Sequence, residues 1–211
     1  MAETALGICM HSGWGVLVAV SGHALSPKIV DRRRFEVIDL AVPGAKQPYH
    51  HAATLRFAES EKYLHQCASV SKRLAAGVIT EVVRQQDRSG CSIIGAAILR
   101  SAARPLPPLP NILSSHPLIH TAEGEFFRNV VADACEGLGI PVTSVRERDL
   151  DTQAQASFAA AARHVQQTIA KLGTAIGPPW TKNHKAATLA ASLLLAAAEN
   201  VSSARPVKKT G

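Results

Sequence analysis

The 211-residue sequence has few aromatic residues, only four cysteines and no long uncharged apolar run. Aromatic residues make up 4% of the chain and apolar residues 46%, many of them alanine, which predicts helices that pack closely through small side chains. No stretch of about 18 apolar residues lacks a charged or polar break, so no transmembrane helix is predicted. The N-terminus lacks the pattern of a secretory signal, and nothing in it indicates secretion.

The cysteines are widely scattered and form no CxxC pair, which argues against a zinc ribbon or a redox motif. Each lies within an apolar strand or helix pattern, and buried free thiols are therefore favoured over disulfides or zinc ligands. This cysteine usage predicts a cytoplasmic protein. The four residues are Cys9, Cys67, Cys91 and Cys135.

Basic residues outnumber acidic residues by 23 to 16, which gives a formal net charge of +7. The excess is concentrated after Leu150, where seven basic residues accompany two acidic ones. A basic C-terminal third fits a polyanionic partner, although a solvated basic surface would explain the same composition. The candidates for contacts with nucleic-acid phosphates are Arg163, Lys182, Lys185 and Arg205.

The apolar pattern predicts strands and helices in a defined order. Two β-rich runs separated by Ser12 and Gly13 indicate a hairpin, and a short connection to the next run favours an antiparallel meander. The continuous apolar run CSIIGAAIL is typical of a parallel strand buried on both faces, and the following helix and strand imply a right-handed crossover. The predicted elements are strands 5–11, 14–21 and 28–40, helix 59–86, strand 91–98, helix 123–137, strand 140–146, and helices 152–172 and 183–198. Residues 1–201 are predicted to form a single domain, and residues 202–211 a disordered basic tail.

The segment from residue 103 to 121 contains five prolines, which predicts an irregular loop instead of a helix or a central strand. Thr121 is then expected to cap the next helix. His116 and His120 have the i, i+4 spacing of helical zinc ligands, and a carboxylate such as Glu123 could complete a transition-metal site. Pro117 argues against a regular helix at that point, so the histidines are interpreted as surface residues and no metal site is assigned.

Three stretches carry a resemblance to a known superfamily. ALGICMHSGWGVLVAV resembles a first hairpin, TAEGEFFRNVVADACEGLGIPVTSVRERDL a helix, a glycine break and a fifth strand, and WTKNHKAATLAASLLLA a closing helix. Together they resemble the ribonuclease H-like superfamily, and most of all the Holliday-junction resolvases of the RuvC type. The resemblance implies an α/β fold with a five-stranded mixed sheet, three antiparallel strands followed by parallel strands, flanked by helices.

The resemblance also implies chemistry that depends on carboxylates in three places. They would lie on the first strand, at the end of the fourth strand and at the start of the last helix, where they would hold two Mg²⁺ ions. This sequence has no carboxylate at any of these places. The corresponding positions of the degenerate site are assigned to His11, Ala96, His184 and Lys185. We therefore predict no catalytic residue, no metal and no cofactor.

Three functions remain open at this stage. The first is a catalytically silent ribonuclease H-like domain that binds nucleic acid weakly through its basic C-terminal third. The second is a protein-interaction or oligomeric scaffold that uses the segment 103–121 and the last helix. A third alternative is a hydrolase or nuclease with an atypical histidine-containing metal site. No membrane partner is expected. The charge distribution and the usual partners of the fold favour the first alternative.

Overall fold

A computed structural model describes residues 2–101 and 105–204 of the chain. It contains five strands and seven α-helices in these ranges. The strands are β1 (Ala2–Met10), β2 (Trp14–Ser21), β3 (Lys28–Glu36), β4 (Cys91–Arg100) and β5 (Val142–Arg146). The helices are α1 (Pro48–Ala52), α2 (Phe57–Arg88), α3 (Leu109–Leu113), α4 (His116–Gly137), α5 (Leu150–Phe158), α6 (Ala162–Ile176) and α7 (Lys182–Ala204).

The five strands form one mixed sheet in the order β3-β2-β1-β4-β5. The first three strands pair antiparallel, and β1 with β4 and β4 with β5 pair parallel. The strand predicted at 91–98 lies inside the sheet, as its continuous apolar run requires. This arrangement confirms the predicted fold class.

Helices cover both faces of the sheet. The face that carries Ala5 and Cys9 packs against α5, α6 and α7, and the opposite face, with Leu6, Ile8 and Met10, packs against α2 and α4. Alternate residues of a strand point to opposite faces, so these two sets of β1 side chains belong to separate cores. The side of the sheet on which a residue lies therefore decides which helix it can reach.

The helix predicted at 152–172 is divided into α5 and α6 by a 3₁₀ turn at Ala159–Ala161. Ala159 has a φ of 47°, a backbone conformation that interrupts the regular helix. Phe158, Val165 and Ile169 are nevertheless all buried in the core beside α7. The apolar period is thus shared by two helices, and the three small alanines between them allow the chain to change direction.

The prediction of an irregular loop at 103–121 is wrong for most of that segment. α3 and the first turns of α4 lie within it, and Pro110 and Pro117 occupy the first turns of these helices. Proline is tolerated there because its missing N–H has no partner within the helix. Thr121 is consequently not a cap but lies inside α4, where its hydroxyl donates to the Pro117 carbonyl at 3.0 Å.

Smaller differences concern the ends of elements and the thiols. β3 ends at Glu36 instead of residue 40, and α7 continues to Ala204, three residues into the tail predicted as disordered. Residues 205–211 of that tail lie outside the described residues. All four cysteines are free, and only Cys91 is partly exposed. None of the helices in residues 2–101 and 105–204 has the length and apolar character needed to span a bilayer.

Candidate nucleic-acid interface

A cleft of about 710 Å³ opens at the carboxyl ends of β4 and β5, beside the first turn of α7. Parallel strands end at the same edge of a sheet, so the residues that follow them are brought together with the N-terminus of the helix packed across them. Ile169, Leu189 and other apolar side chains form part of the cleft wall. The charged residues that line it are Arg100, Glu147, Arg148, Asp151, Lys182 and Lys185.

Cys9 is the last buried residue of β1 on the face that packs against α7. It lies opposite Leu99 in the parallel pair of β1 and β4, so both side chains approach the same edge. Burial, with a smaller contribution from the negative charge of Glu147, raises the pKa of the thiol to about 11. The first strand therefore presents a neutral thiol, and no carboxylate, to this edge of the sheet.

His11 follows β1 and is held between an aromatic ring and a polar side chain. Its ring stacks on Trp14 with 4.3 Å between the ring centroids, and its Nε2 lies 2.8 Å from the Asn183 Nδ2 of α7. Burial, followed by the positive charge of Arg128, lowers the pKa of the His11 imidazole. The lowered pKa favours the neutral imidazole, which is a poor ligand for Mg²⁺.

A carboxylate does approach the end of β4, but it comes from α4. Glu125 is 7% exposed, and its Oε2 lies 2.7 Å from Arg100 Nη1 while its Oε1 lies 3.6 Å from Arg128 Nη1. The Ser101 hydroxyl also donates to Oε1 at 3.3 Å, and Arg128 Nε donates to the Leu99 carbonyl at 3.1 Å. The guanidinium groups of Arg100 and Arg128 thus neutralise the Glu125 carboxylate at the end of β4. This leaves Glu125 unsuited to bind a cation.

The remaining carboxylates beside the cleft also have partners. Glu147 pairs with Lys182 at 3.2 Å, and Asp149 pairs with Arg146 at 2.6 Å. Asp151 accepts a hydrogen bond from the Gln166 amide at 2.9 Å. Within residues 2–101 and 105–204, the side chains at this edge do not fit a pair of Mg²⁺ ions, because hard cations require several converging oxygen ligands.

The structure separates the four residues assigned to the degenerate site. Lys185 lines the cleft and His11 lies near it, but Ala96 is fully buried on the face that packs against α2 and α4. Because strand residues alternate between faces, Ala96 belongs to the opposite side of the sheet and is not part of the same site as His11 and Lys185.

His184 is 4% exposed and does not line the cleft. Its side chain instead contacts the residues that precede α7. Its Nδ1 accepts the backbone N–H of Thr181 at 3.2 Å and lies 2.8 Å from the Thr181 hydroxyl. Its ring lies 5.8 Å from that of Trp180. Burial, more than the nearby Arg32, lowers the pKa of the His184 imidazole.

The predicted phosphate-binding residues are also only partly assembled. Lys182 and Lys185 line the cleft, whereas Arg163 is exposed on α6 and does not line it. Arg205 lies outside the described residues. Arg100 and Arg148, which were not among the predicted residues, line the same cleft. Their positions in the sequence could have indicated this, because Arg100 ends β4 and Arg148 follows shortly after β5. Both strands terminate at this edge of the sheet.

The start of α7 concentrates positive charge at the cleft. Lys182 and Lys185 lie in its first turns, and these turns carry no acidic residue. The N-terminus of a helix already bears a partial positive charge, so lysines there are locally unfavourable and an anion is favourable. Together with Arg100 and Arg148, these lysines give the cleft four basic side chains, and its lining also includes two acidic ones. Three of the four basic side chains are in ion pairs, Arg100 with Glu125, Arg148 with Asp149 and Lys182 with Glu147.

Two solved structures are similar in fold to this chain. The structure of T. thermophilus RuvC in complex with Holliday junction substrate aligns with a TM-score of 0.53 and 12% sequence identity over 94% of this chain and 96% of that chain. A structure of Thermus thermophilus RuvC aligns with a TM-score of 0.51 and 12% identity over the same shares. No known family profile matches the sequence, and no curated protein matches it. The chain therefore has the ribonuclease H-like α/β fold of these resolvases.

Proposed function

We propose that this chain is a catalytically silent ribonuclease H-like domain that binds nucleic acid through the cleft beside α7. The observation that carries the proposal is the group of four basic side chains that line the cleft, next to a helix N-terminus without acidic residues. An arrangement that is unfavourable for the isolated helix becomes favourable when a phosphate occupies the cleft. The fold similarity to RuvC, which has been captured with a Holliday junction, supports DNA as the source of that phosphate.

Binding is expected to be weak and without sequence preference. Lysine and arginine contacts to phosphates position a nucleic acid but carry no information about its bases. The two acidic residues of the cleft, Glu147 and Asp151, oppose part of the basic charge, and Glu147 already pairs with Lys182. Affinity should therefore depend steeply on salt and little on sequence.

The salt dependence of binding tests this proposal. Association of a duplex and of a four-way junction is measured by fluorescence anisotropy between about 50 and 200 mM salt, the range in which counterion release dominates. Lys182→Glu and Lys185→Glu should each reduce the slope of log K against log salt by about one unit. Lys171→Glu is the matched control, because Lys171 is exposed on α6 in the same basic third but does not line the cleft.

An unchanged slope in both cleft variants would reject the cleft as the binding surface. An equal reduction in Lys171→Glu would show that only the net charge of the domain matters. Absence of binding at the lowest salt concentration would favour the scaffold alternative. Circular dichroism of each variant establishes that the fold is retained.

Catalytic silence is tested separately with the same nucleic acids. Incubation with Mg²⁺ should give no cleavage, because the carboxylates around the cleft are paired with arginine, lysine or amide groups. Mn²⁺ is the more demanding control, since it tolerates imidazole better than Mg²⁺ does. Cleavage in Mn²⁺ that is abolished by His11→Ala would contradict the proposal.

A further inference from the structure

Three histidines from two helices meet on the side of the fold that carries α4. His116 and His120 lie one turn apart on α4, and His50 belongs to α1. One ring nitrogen of each lies within 4.8 Å of the corresponding nitrogens of the other two. The ring centroids are 4.4 Å apart for His116 and His120, 4.8 Å for His50 and His120, and 5.5 Å for His50 and His116.

The cluster forms because α4 begins at His116, ahead of Pro117, and not at residue 123 as predicted. With Pro117 in the first turn, the helix includes both His116 and His120, and their i, i+4 spacing places them on one face. His50 is brought opposite them by α1, which packs against α4 and α2. The sequence spacing identified two of these residues, but it gave no signal for the third.

A buried carboxylate lies behind His50. Glu123 is 4% exposed, its Oε1 accepts the backbone N–H of His50 at 3.1 Å, and its Oε2 lies 2.9 Å from His50 Nδ1. His50 Nδ1 is buried and makes no hydrogen bond, so its contact with Glu123 is one of distance alone. A small rotation of the ring would turn this contact into a hydrogen bond, which is the usual support of a metal-binding histidine because it fixes the ring and leaves the other nitrogen for the ion.

The charge of Glu123 also favours a cation at this place. Among the described residues no lysine or arginine lies within ion-pair distance of Glu123, and the nearest nitrogen of a basic side chain is that of the His50 imidazole. A buried carboxylate without a full positive charge nearby is costly. A divalent ion bound on the far side of His50 would supply that charge.

We propose that His50, His116 and His120 bind a divalent transition-metal ion such as Zn²⁺, with Glu123 as the positioning residue for His50. Imidazole nitrogens favour Zn²⁺ and its neighbours over Mg²⁺ or Ca²⁺. Tetrahedral Zn–N bonds of about 2.0–2.1 Å need nitrogens roughly 3.3 Å apart, so the rings must close by about 1.5 Å. His116 and His120 are exposed and free to do so, and their exposure leaves a fourth position open to solvent or a ligand.

This site is distinct from the cleft. No residue of the cluster lines the cleft. Loss of one function therefore leaves the other intact, and the two proposals can fail independently.

Titration with Zn²⁺ and Co²⁺ tests the site, using the full chain without a polyhistidine tag. Calorimetry should show one equivalent of Zn²⁺, and Co²⁺ should give the visible absorption of a low-symmetry site with nitrogen ligands. His116→Ala and His120→Ala should each weaken binding by at least tenfold, and because both residues are exposed the variants should fold. His65→Ala and His164→Ala are matched controls, since both are exposed histidines on other helices.

Glu123→Gln provides a readout specific to the positioning role. It should weaken Zn²⁺ binding by about 10- to 100-fold and alter the Co²⁺ spectrum while the stoichiometry stays at one. Absence of Zn²⁺ binding by the parent chain would overturn the proposal. Equal losses in the cluster variants and in the His65 and His164 controls would overturn it as well, because they would indicate dispersed surface binding.

Discussion

Glu125, Arg100 and Arg128 form an ion cluster at the end of β4. A substitution in this cluster tests whether this edge of the sheet is structural or catalytic. Glu125 is placed near the position at which the two-metal chemistry needs its second carboxylate, yet it is held by Arg100 and Arg128. If its role is structural, Glu125→Gln should destabilise the fold and affect no metal-dependent reaction. The substitution preserves the shape of the side chain and removes only its charge.

The expected magnitude follows from the burial of the three charges. The exposed fractions of the side chains are 9% for Glu125, 17% for Arg100 and 16% for Arg128. Removing one partner of a buried ion pair costs about 3–5 kcal/mol, because the remaining charge is left without compensation. The guanidinium groups retain some contact with water, so we expect the lower end, about 3 kcal/mol. For a chain of this length that corresponds to a decrease in Tm of about 6–12 °C.

Denaturant unfolding followed by circular dichroism measures this change, and the Arg100→Met background provides a double-mutant cycle. In that background Glu125→Gln should cost less than in the parent, because the pair at 2.7 Å is already broken. A loss below about 0.5 kcal/mol in the parent, within the range of ordinary surface substitutions, would refute the structural role. Metal-dependent cleavage that disappears in Glu125→Gln would identify the carboxylate as a metal ligand instead.

Three further predictions concern residues around β1 and the start of α7. A Cβ at Gly7 would overlap the backbone carbonyl of Ala187, so Gly7→Ala should lower the free energy of unfolding by about 3 kcal/mol. A Cβ at Gly77 would meet open space, so Gly77→Ala is the control and should not lower the free energy of unfolding. Because burial raises the pKa of Cys9 to about 11, Cys9→Ser should leave the fast phase of thiol labelling at pH 8 unchanged; loss of that phase would contradict the burial argument. Because burial lowers the pKa of His184, the unfolded chain binds a proton that the folded chain excludes, and stability should fall as the pH drops below about 6.5. That fall should be smaller in His184→Asn, and an unchanged pH profile would exclude His184 as its source.

The sheet could be predicted because its sequence signals are local. The hairpin of β1 and β2 is marked by two β-rich runs and a short polar turn, and β4 by an uninterrupted apolar run. The helix between β4 and β5 then fixes a parallel crossover through general rules of handedness. None of these inferences depends on contacts between distant residues.

The candidate sites depend on contacts that no local pattern encodes. The helix predicted at 123–137 begins at His116, so Glu123 and Glu125 lie inside it, and both are buried. Each is held by a residue distant in sequence, His50 for Glu123 and Arg100 for Glu125. The predicted start of this helix was two turns too late, and no local pattern indicated that His50 and Arg100 would lie beside its buried acids.

The charged side chains at this edge of the sheet decide what a new carboxylate there could do. Cys9 is a buried neutral thiol, and Arg128 and Lys182 are close enough to act electrostatically on it. A carboxylate introduced at Cys9 alone would find these cations as ionic partners and would hold them in preference to Mg²⁺, as Glu125 already holds Arg100 and Arg128. A two-metal site at this edge would therefore require the removal of basic side chains as well as the introduction of several acids, because a pair of Mg²⁺ ions needs converging oxygen ligands without competing cations.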